Sequence, residues 1–267
     1  MGIDGDAPDP PHRRFGGQGG LLSYGDHLRL PELLDQRRPR SAAPDEQPFI
    51  TAHQVSEPCV KPLLRELEPA RTAMSAGEPW RAGHLFRRVR AAERVMTEQV
   101  EVLETMTPQD FPAFRAGPAP ASGFQPVSFG KPESPAGPKD ERHLGSFGHA
   151  GEDELARLRR SLAEPTLWDA YQTALSQRGL PVSDSEIMDS LPAVARDRGS
   201  HDDPWQLAED LLTHDETAAL WRMRHVQRVE RQIGTRSGTG GSTGAPHPRG
   251  RTRLHYFPLL WELRAWL

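Results

Sequence analysis

The stretch DPWQLAEDLLTHDETAALWRMRHVQRVERQIG, residues 203–234, predicts one long helix, and this helix decides the fold class. Asp203 can serve as its N-cap, and Pro204 stands in the first turn, where a missing backbone N–H is tolerated. Gly234 follows the last periodic residue and is a natural stop, because glycine tolerates the backbone that ends a helix. The pattern therefore predicts a helix over this whole span.

The apolar face of this helix also carries a histidine. His225 points with that face, whose other members recur at three- or four-residue spacing: Ala218, Trp221 and Val229. Arg222 and Arg228 are expected to point elsewhere, as parts of a solvated face. A histidine in such a place is more often a hydrogen-bonded core residue than a metal ligand. The loop that follows, GTGGSTG (238–244), matches neither the Walker nor the dinucleotide fingerprint.

Helical periodicity recurs along the rest of the chain. The predicted helices are 48–74, 83–106, 151–163 and 166–178, with the proline- and glycine-rich residues 108–150 as loop. The first of them contains Pro58, Pro62 and Pro69, each of which removes a backbone hydrogen bond and tends to kink a helix. No alternation of strand period extends over any length, so the predicted fold class is all-α.

Composition limits the function classes. The chain has 267 residues and a formal net charge of −4, so no global field favours nucleic acid or an anionic membrane. Its single cysteine, Cys59, excludes an intrachain disulfide framework and a zinc site built from cysteines. No apolar run approaches the roughly 20 residues that span a bilayer. We expect a cytoplasmic protein with a disordered tail at 1–20 and a single domain at 21–267.

Five separated segments resemble tryptophan 2,3-dioxygenases, the histidine-ligated haem enzymes that open the indole ring of tryptophan. They are LSYGDHLRLPELL (22–34), FITAHQVSE with LLREL (49–67), TMTPQDFPAFR with SGFQ (105–125), LWRMRHVQRVERQIG with GTGGSTG (220–244) and FPLLWELR (257–264). Their order is that of the family, and the fourth is the most specific. The resemblance implies a single helical-bundle domain with haem between helices.

The resemblance also assigns the polar anchors. His225 matches the proximal ligand of a haem b iron, where a neutral imidazole leaves the sixth position open for dioxygen. Arg115 matches the arginine that clamps the substrate carboxylate, because a planar guanidinium suits two oxygens. Thr239 matches the threonine that holds the amino-acid head group of the substrate.

Further residues of the family's pocket have counterparts here. Phe49 and His53 lie one helical turn apart and match the residues that flank the indole, with His53 at the indole N–H. Phe111 matches a substrate-binding position that is tyrosine in some members and phenylalanine in others. Ser122 and Gly123 match the loop that lines the oxygen pocket beside the haem.

An N-terminal match implies an oligomer. Tyr24 and Leu28 match a segment that, in the family, reaches into the active site of a neighbouring subunit. The resemblance therefore implies a homo-oligomer, usually a tetramer, whose pockets contain residues from two chains.

Departures from the family pattern affect the expected reaction. Val100 stands where the family has a tryptophan near the haem, and Glu57-Pro58-Cys59 replaces a Glu-Leu-Trp segment. These changes favour monooxygenation of L-tryptophan or a β-substituted tryptophan to a 2-oxindole, with an external reductant, in natural-product biosynthesis. The alternative is tryptophan 2,3-dioxygenation to an N-formylkynurenine. A third reading, of another class, is a haem- or amino-acid-binding sensor without turnover.

Overall fold

The computed structural model describes residues 23–115, 163–183, 185–234 and 254–267, together with the single positions 152, 156 and 159. Within these residues every regular element is helical, which confirms the all-α prediction. The described residues up to Pro39 form one compact unit, and those from Arg40 to Leu267 form a second. The predicted tail at 1–20 lies outside the described residues.

The first unit contains two short helices. Helix α1 is Tyr24–Leu28 and helix α2 is Leu30–Asp35. Ser23 caps α1, since its side-chain oxygen accepts a hydrogen bond of 3.0 Å from the backbone N–H of Asp26.

The second unit contains seven α-helices among its described residues. They are α3 Glu46–Ser75, α4 Pro79–Glu104, α5 Phe111–Arg115, α6 Leu167–Gln177, α7 Ile187–Arg196, α8 Arg198–Ile233 and α9 Pro258–Leu263. A 3₁₀ turn, Arg264–Trp266, follows α9. In the part of the chain that the structure describes, no helix is both long enough and apolar enough to cross a bilayer.

Helix α3 confirms the predicted helix 48–74 and runs through all three of its prolines. Pro58 and Pro62 are exposed and Pro69 is half-buried, so the prolines lie toward the solvent side of the helix. The opposite side buries an apolar stripe, including Val60, Leu63 and Leu67, in the main core. Burial of that stripe offsets the three lost hydrogen bonds.

Helices α3 and α4 form an antiparallel hairpin, whereas α4 and α8 run parallel. Gly77 makes the hairpin turn with φ 72°, a conformation that L side chains rarely adopt. Between α4 and α8 the contacts advance together along both helices: Arg90 with Asp210 (2.6 Å), Glu93 with His214 (2.6 Å) and Glu101 with Arg224 (3.0 Å). Both helix starts therefore meet at one end of the bundle, and both helix ends meet at the other.

The long helix α8 begins earlier than the sequence predicts. It starts at Arg198 under a cap from Asp197, which accepts from the Ser200 N–H at 3.2 Å, so Asp203 as N-cap was wrong. The backbone leaves helical geometry at His201, and Pro204 lies in the first turn after this break, where a missing N–H costs little. The predicted stop is confirmed, because Gly234 ends the helix with φ 58°.

The other predicted helices have mixed outcomes. Helix α6 confirms the prediction at 166–178 and has a reciprocal capping box between Thr166 and Asp169. Helix α7 was missed by the sequence reading. Helix α5 lies within residues 108–150, which were predicted as loop, so that prediction was wrong for Phe111–Arg115, where burial of Phe114 favours a helical turn. In the predicted helix 151–163 the structure describes only positions 152, 156, 159 and 163, and these are helical.

The end of the chain is fixed to α8 by a buried carboxylate. Asp215 Oδ2 accepts hydrogen bonds from the backbone N–H groups of Tyr256 (2.8 Å) and Phe257 (3.1 Å) and from the Trp261 indole (2.9 Å). Two helical turns further on, Arg222 donates to the Tyr256 hydroxyl at 2.8 Å and to the Leu254 carbonyl at 2.6 Å. This docking buries Phe257, Leu260 and Leu263 in the main core.

Candidate functional site

A second, smaller hydrophobic cluster lies at one end of the bundle. Its buried members are Ala52, Leu103, Met106 and Phe114, with Ala43, Phe49 and Phe111 packed against them. They come from the start of α3 and the residues just before it, from the end of α4 and the residues just after it, and from helix α5. Because α4 and α8 run parallel, the end of α8 reaches the same place. Gln232 on α8 confirms this, since its amide donates to the carbonyls of Leu103 (3.3 Å) and Met106 (2.8 Å).

Three phenylalanines form the aromatic part of this cluster. The ring centroids of Phe49 and Phe114 are 5.3 Å apart, those of Phe111 and Phe114 5.4 Å, and those of Phe49 and Phe111 6.1 Å. The tilted and edge-on arrangements are those that aromatic quadrupoles favour. Two of the predicted substrate-binding residues, Phe49 and Phe111, are thus brought together by the fold.

His53 stands beside this aromatic cluster in a defined protonation state. Its ring lies 4.2 Å from the Phe49 ring, and its Nδ1 is 2.8 Å from the Phe49 carbonyl oxygen. A carbonyl oxygen can only accept, so Nδ1 carries the proton. Burial lowers the pKa of His53, and the positive charge of Arg228 lowers it further, against the opposing effect of the hydrogen bond. The neutral ring therefore keeps its lone pair on Nε2.

His225 lies on α8, at the same end of the bundle as His53. Its ring stacks on Trp221, with centroids 5.3 Å apart and planes 18° from parallel, which orients the imidazole. Burial lowers its pKa to about 3, with smaller contributions from Arg228 and His53. An imidazole that stays neutral throughout the physiological range keeps a lone pair for a metal ion.

Besides burial, the positive charge of Arg228 lowers the pKa of both His53 on α3 and His225 on α8, so the three side chains lie near one another at this end of the bundle. Arg228 was expected to be solvated, as was Arg222, and this prediction was wrong: the two side chains are 9% and 7% exposed. Both stand three residues from His225, which places them beside it on the helix. The charge of the arginines predicted solvent exposure, but other parts of the chain pack against α8 on more than one side.

The remaining predicted site residues are placed to different degrees. Val100 is buried on α4, one turn before Leu103. Arg115 is the last residue of α5, and the structure describes its backbone alone. Ser122, Gly123 and Thr239 lie outside the described residues. Tyr24 and Leu28, on α1 in the first unit, have exposed side chains.

The donor set fits a haem group. A neutral, oriented imidazole on a long helix can ligate the iron, and apolar and aromatic side chains from three helices surround the same place. The buried guanidinium of Arg228 places a positive charge beside these residues, and a guanidinium is complementary to a carboxylate. Arg228 was the residue that sequence reasoning missed, and its spacing from His225 was the signal that could have found it.

Comparisons with known proteins identify the family of the chain. The family model for tryptophan 2,3-dioxygenase matches residues 6–189 and 191–267. A tryptophan 2,3-dioxygenase of Nocardioides sp. (strain ATCC BAA-499 / JS614) is 49% identical over 258 residues, covering 94% of this chain and 97% of its own length. Enzymes with that name from Anaeromyxobacter sp. (strain K) and Myxococcus xanthus are 37% and 35% identical, over 91% and 92% of this chain and 96% and 90% of their own lengths. The chain therefore belongs to the tryptophan 2,3-dioxygenase family and is a tryptophan oxygenase.

Proposed function

We propose that this protein is a haem b-dependent tryptophan 2,3-dioxygenase, which inserts both atoms of O₂ across the indole C2–C3 bond of L-tryptophan to form N-formyl-L-kynurenine. The observation that carries the proposal is the pair of neutral histidines, His225 and His53, on opposite helices beside a phenylalanine cluster. The relatives are named tryptophan 2,3-dioxygenase and match this chain over nearly their whole length. Both facts favour this reaction over the monooxygenation expected from the sequence.

His225 is the proposed iron ligand. The stacked Trp221 ring and the backbone of a 36-residue helix hold its imidazole in place, so binding requires little reorganisation. When bound, the haem supplies the ferrous iron that activates O₂.

His53 is the proposed partner of the indole N–H. Since Nδ1 donates to the Phe49 carbonyl, Nε2 is the atom that accepts a hydrogen bond from the substrate. That bond orients the indole and withdraws the N–H from water. The proton stays on the indole nitrogen at this stage, because a ring with a lowered pKa is a weak base.

Phe49 and Phe111 are proposed to contact the indole ring. Both rings belong to one cluster, so a flat aromatic substrate can add to it in the same tilted geometry. The cluster also excludes water from the ring that is oxidised.

The amino-acid part of the substrate is assigned by resemblance. Arg115 is proposed to bind the carboxylate, and Thr239 the head group. Ser122 and Gly123 are proposed to line the oxygen pocket. Tyr24 and Leu28 are proposed to complete the pocket of a neighbouring subunit in a homotetramer.

Of the departures from the family pattern, Cys59 lies away from the proposed site and Val100 lies near it. Cys59 packs against the main core and not against the phenylalanine cluster, and burial raises the pKa of its thiol. Its substitution for tryptophan therefore changes core packing. Val100 remains the departure at the site end of α4.

The proposal is tested by turnover of the haem-loaded, reduced protein with L-tryptophan in air. We expect formation of N-formylkynurenine, with one O₂ consumed per tryptophan and no net consumption of reductant. An oxindole formed with stoichiometric reductant would establish the monooxygenase. Bound haem and bound tryptophan without any product would establish the non-catalytic sensor.

A further inference from the structure

Arg228 is a buried cation at the end of α8 that the proposed reaction does not use. It stands three residues after His225 and four before Gln232, whose amide is fixed to the Leu103 and Met106 carbonyls. Helical spacing places all three side chains on the side of α8 that faces the end of α4. Only 9% of the Arg228 residue surface is exposed, less than for many apolar residues on the same helix.

Among the described residues, no carboxylate forms a direct ion pair with this guanidinium. Its Nε is buried and has no hydrogen-bond partner there, and no described ion pair within 4.0 Å includes it. Glu104 is the acidic group that acts on it electrostatically, and Glu104 itself is half-exposed. Its two titratable neighbours, His53 and His225, are both neutral. A buried charge is stable when an opposite charge and hydrogen bonds compensate it.

The charge persists at neutral pH. Burial lowers the pKa of Arg228 to about 10, and the Glu104 carboxylate opposes this change. The site therefore holds one positive charge beside two neutral imidazoles. A carboxylate is the complementary ligand, because the planar guanidinium matches its two oxygens.

We infer that Arg228 binds a carboxylate of a molecule bound in this site, either a propionate of haem or the α-carboxylate of tryptophan. The inference rests on the proposed function, since it takes haem and tryptophan as those ligands. The propionates are favoured, because Arg115 already matches the clamp for the substrate carboxylate. Arg228 would then hold the cofactor at the same helix that ligates its iron.

The test compares two variants. Arg228→Met removes the positive charge and keeps a long, unbranched side chain, whereas Arg228→Lys keeps the positive charge. Arg231→Met is the matched control, because Arg231 is exposed on the same turn of α8. The first readout is the rate of haem transfer from the ferric holoprotein to excess apomyoglobin. We expect Arg228→Met to lose haem about ten-fold faster or more, the effect of one charge-assisted hydrogen bond. Arg228→Lys should lose haem more slowly than Arg228→Met, and the control should match wild type.

Haem dimethyl ester, whose esterified propionates carry no charge, shows whether the carboxylate bound by Arg228 belongs to haem or to tryptophan. If Arg228 binds a propionate, wild type and Arg228→Met should lose the ester at the same rate. If it binds the substrate, haem loss should be unchanged and the Kd of L-tryptophan should rise in Arg228→Met, while that of tryptamine stays constant. Unchanged haem loss together with unchanged tryptophan affinity would overturn the inference. Failure of wild type to bind haem would instead overturn the proposed function.

Discussion

Replacement of Asp215 by alanine should destabilise the protein more than almost any other single change on α8. The carboxylate is completely buried, and its Oδ2 accepts from two backbone N–H groups and the Trp261 indole. Alanine leaves the N–H groups of Tyr256 and Phe257 buried without an acceptor, whereas the half-buried indole can turn to water. At about 1–3 kcal/mol for each orphaned donor, the loss is roughly 2–6 kcal/mol. Relief of the buried charge offsets part of this, so we expect about 3 kcal/mol.

The measurement is urea denaturation followed by far-UV circular dichroism. Glu216→Ala is the matched control, because its side chain is exposed on the neighbouring position of the same helix. Asp215→Asn keeps one acceptor oxygen and should lose roughly half as much stability. If the Asp215 and Glu216 variants differ by less than about 0.5 kcal/mol, the docking of residues 254–267 through this carboxylate is refuted.

Two further predictions concern the histidines of the site. His225→Ala should abolish the Soret band of haem-reconstituted protein, whereas His84→Ala, at an exposed position, should keep it; a normal histidine-ligated spectrum in the first variant would contradict the ligand assignment. Burial lowers the pKa values of His53 and His225 in the folded protein. Below pH 6.5, the ordinary pKa of histidine, the unfolded chain therefore binds more protons than the folded protein does. The free energy of unfolding of the haem-free protein should therefore be highest above that pH and fall toward about pH 5.5, with a smaller decrease in His225→Phe; equal decreases in both proteins would refute the assignment of neutral buried rings.

The fold was predictable where a helix is long and its apolar face is regular. Periodicity located α3, α4 and most of α8, and Gly234 marked a true helix end. The start of α8 was misplaced because Asp203 and Pro204 imitate a helix start, although the actual break lies at His201. Local rules recognise a first turn, but they do not show that another helical segment precedes it.

The site was predictable in its residue types but not in its charges. Spacing placed His225 on a half-buried face, and resemblance added Phe49 and His53. Arg222 and Arg228 were misjudged, because sequence reasoning assigns charged residues to solvent unless a partner is known. The partners of Arg222 are the Tyr256 hydroxyl and the Leu254 carbonyl, more than thirty positions away, and only the tertiary structure reveals them.

Dioxygenation of tryptophan at this site can be tested with labelled oxygen. The haem-loaded, reduced protein is incubated with L-tryptophan under ¹⁸O₂, and the product is analysed by mass spectrometry before it exchanges with water. We expect N-formylkynurenine that carries two labelled oxygen atoms. A product with one labelled atom and an intact indole-derived ring would contradict it.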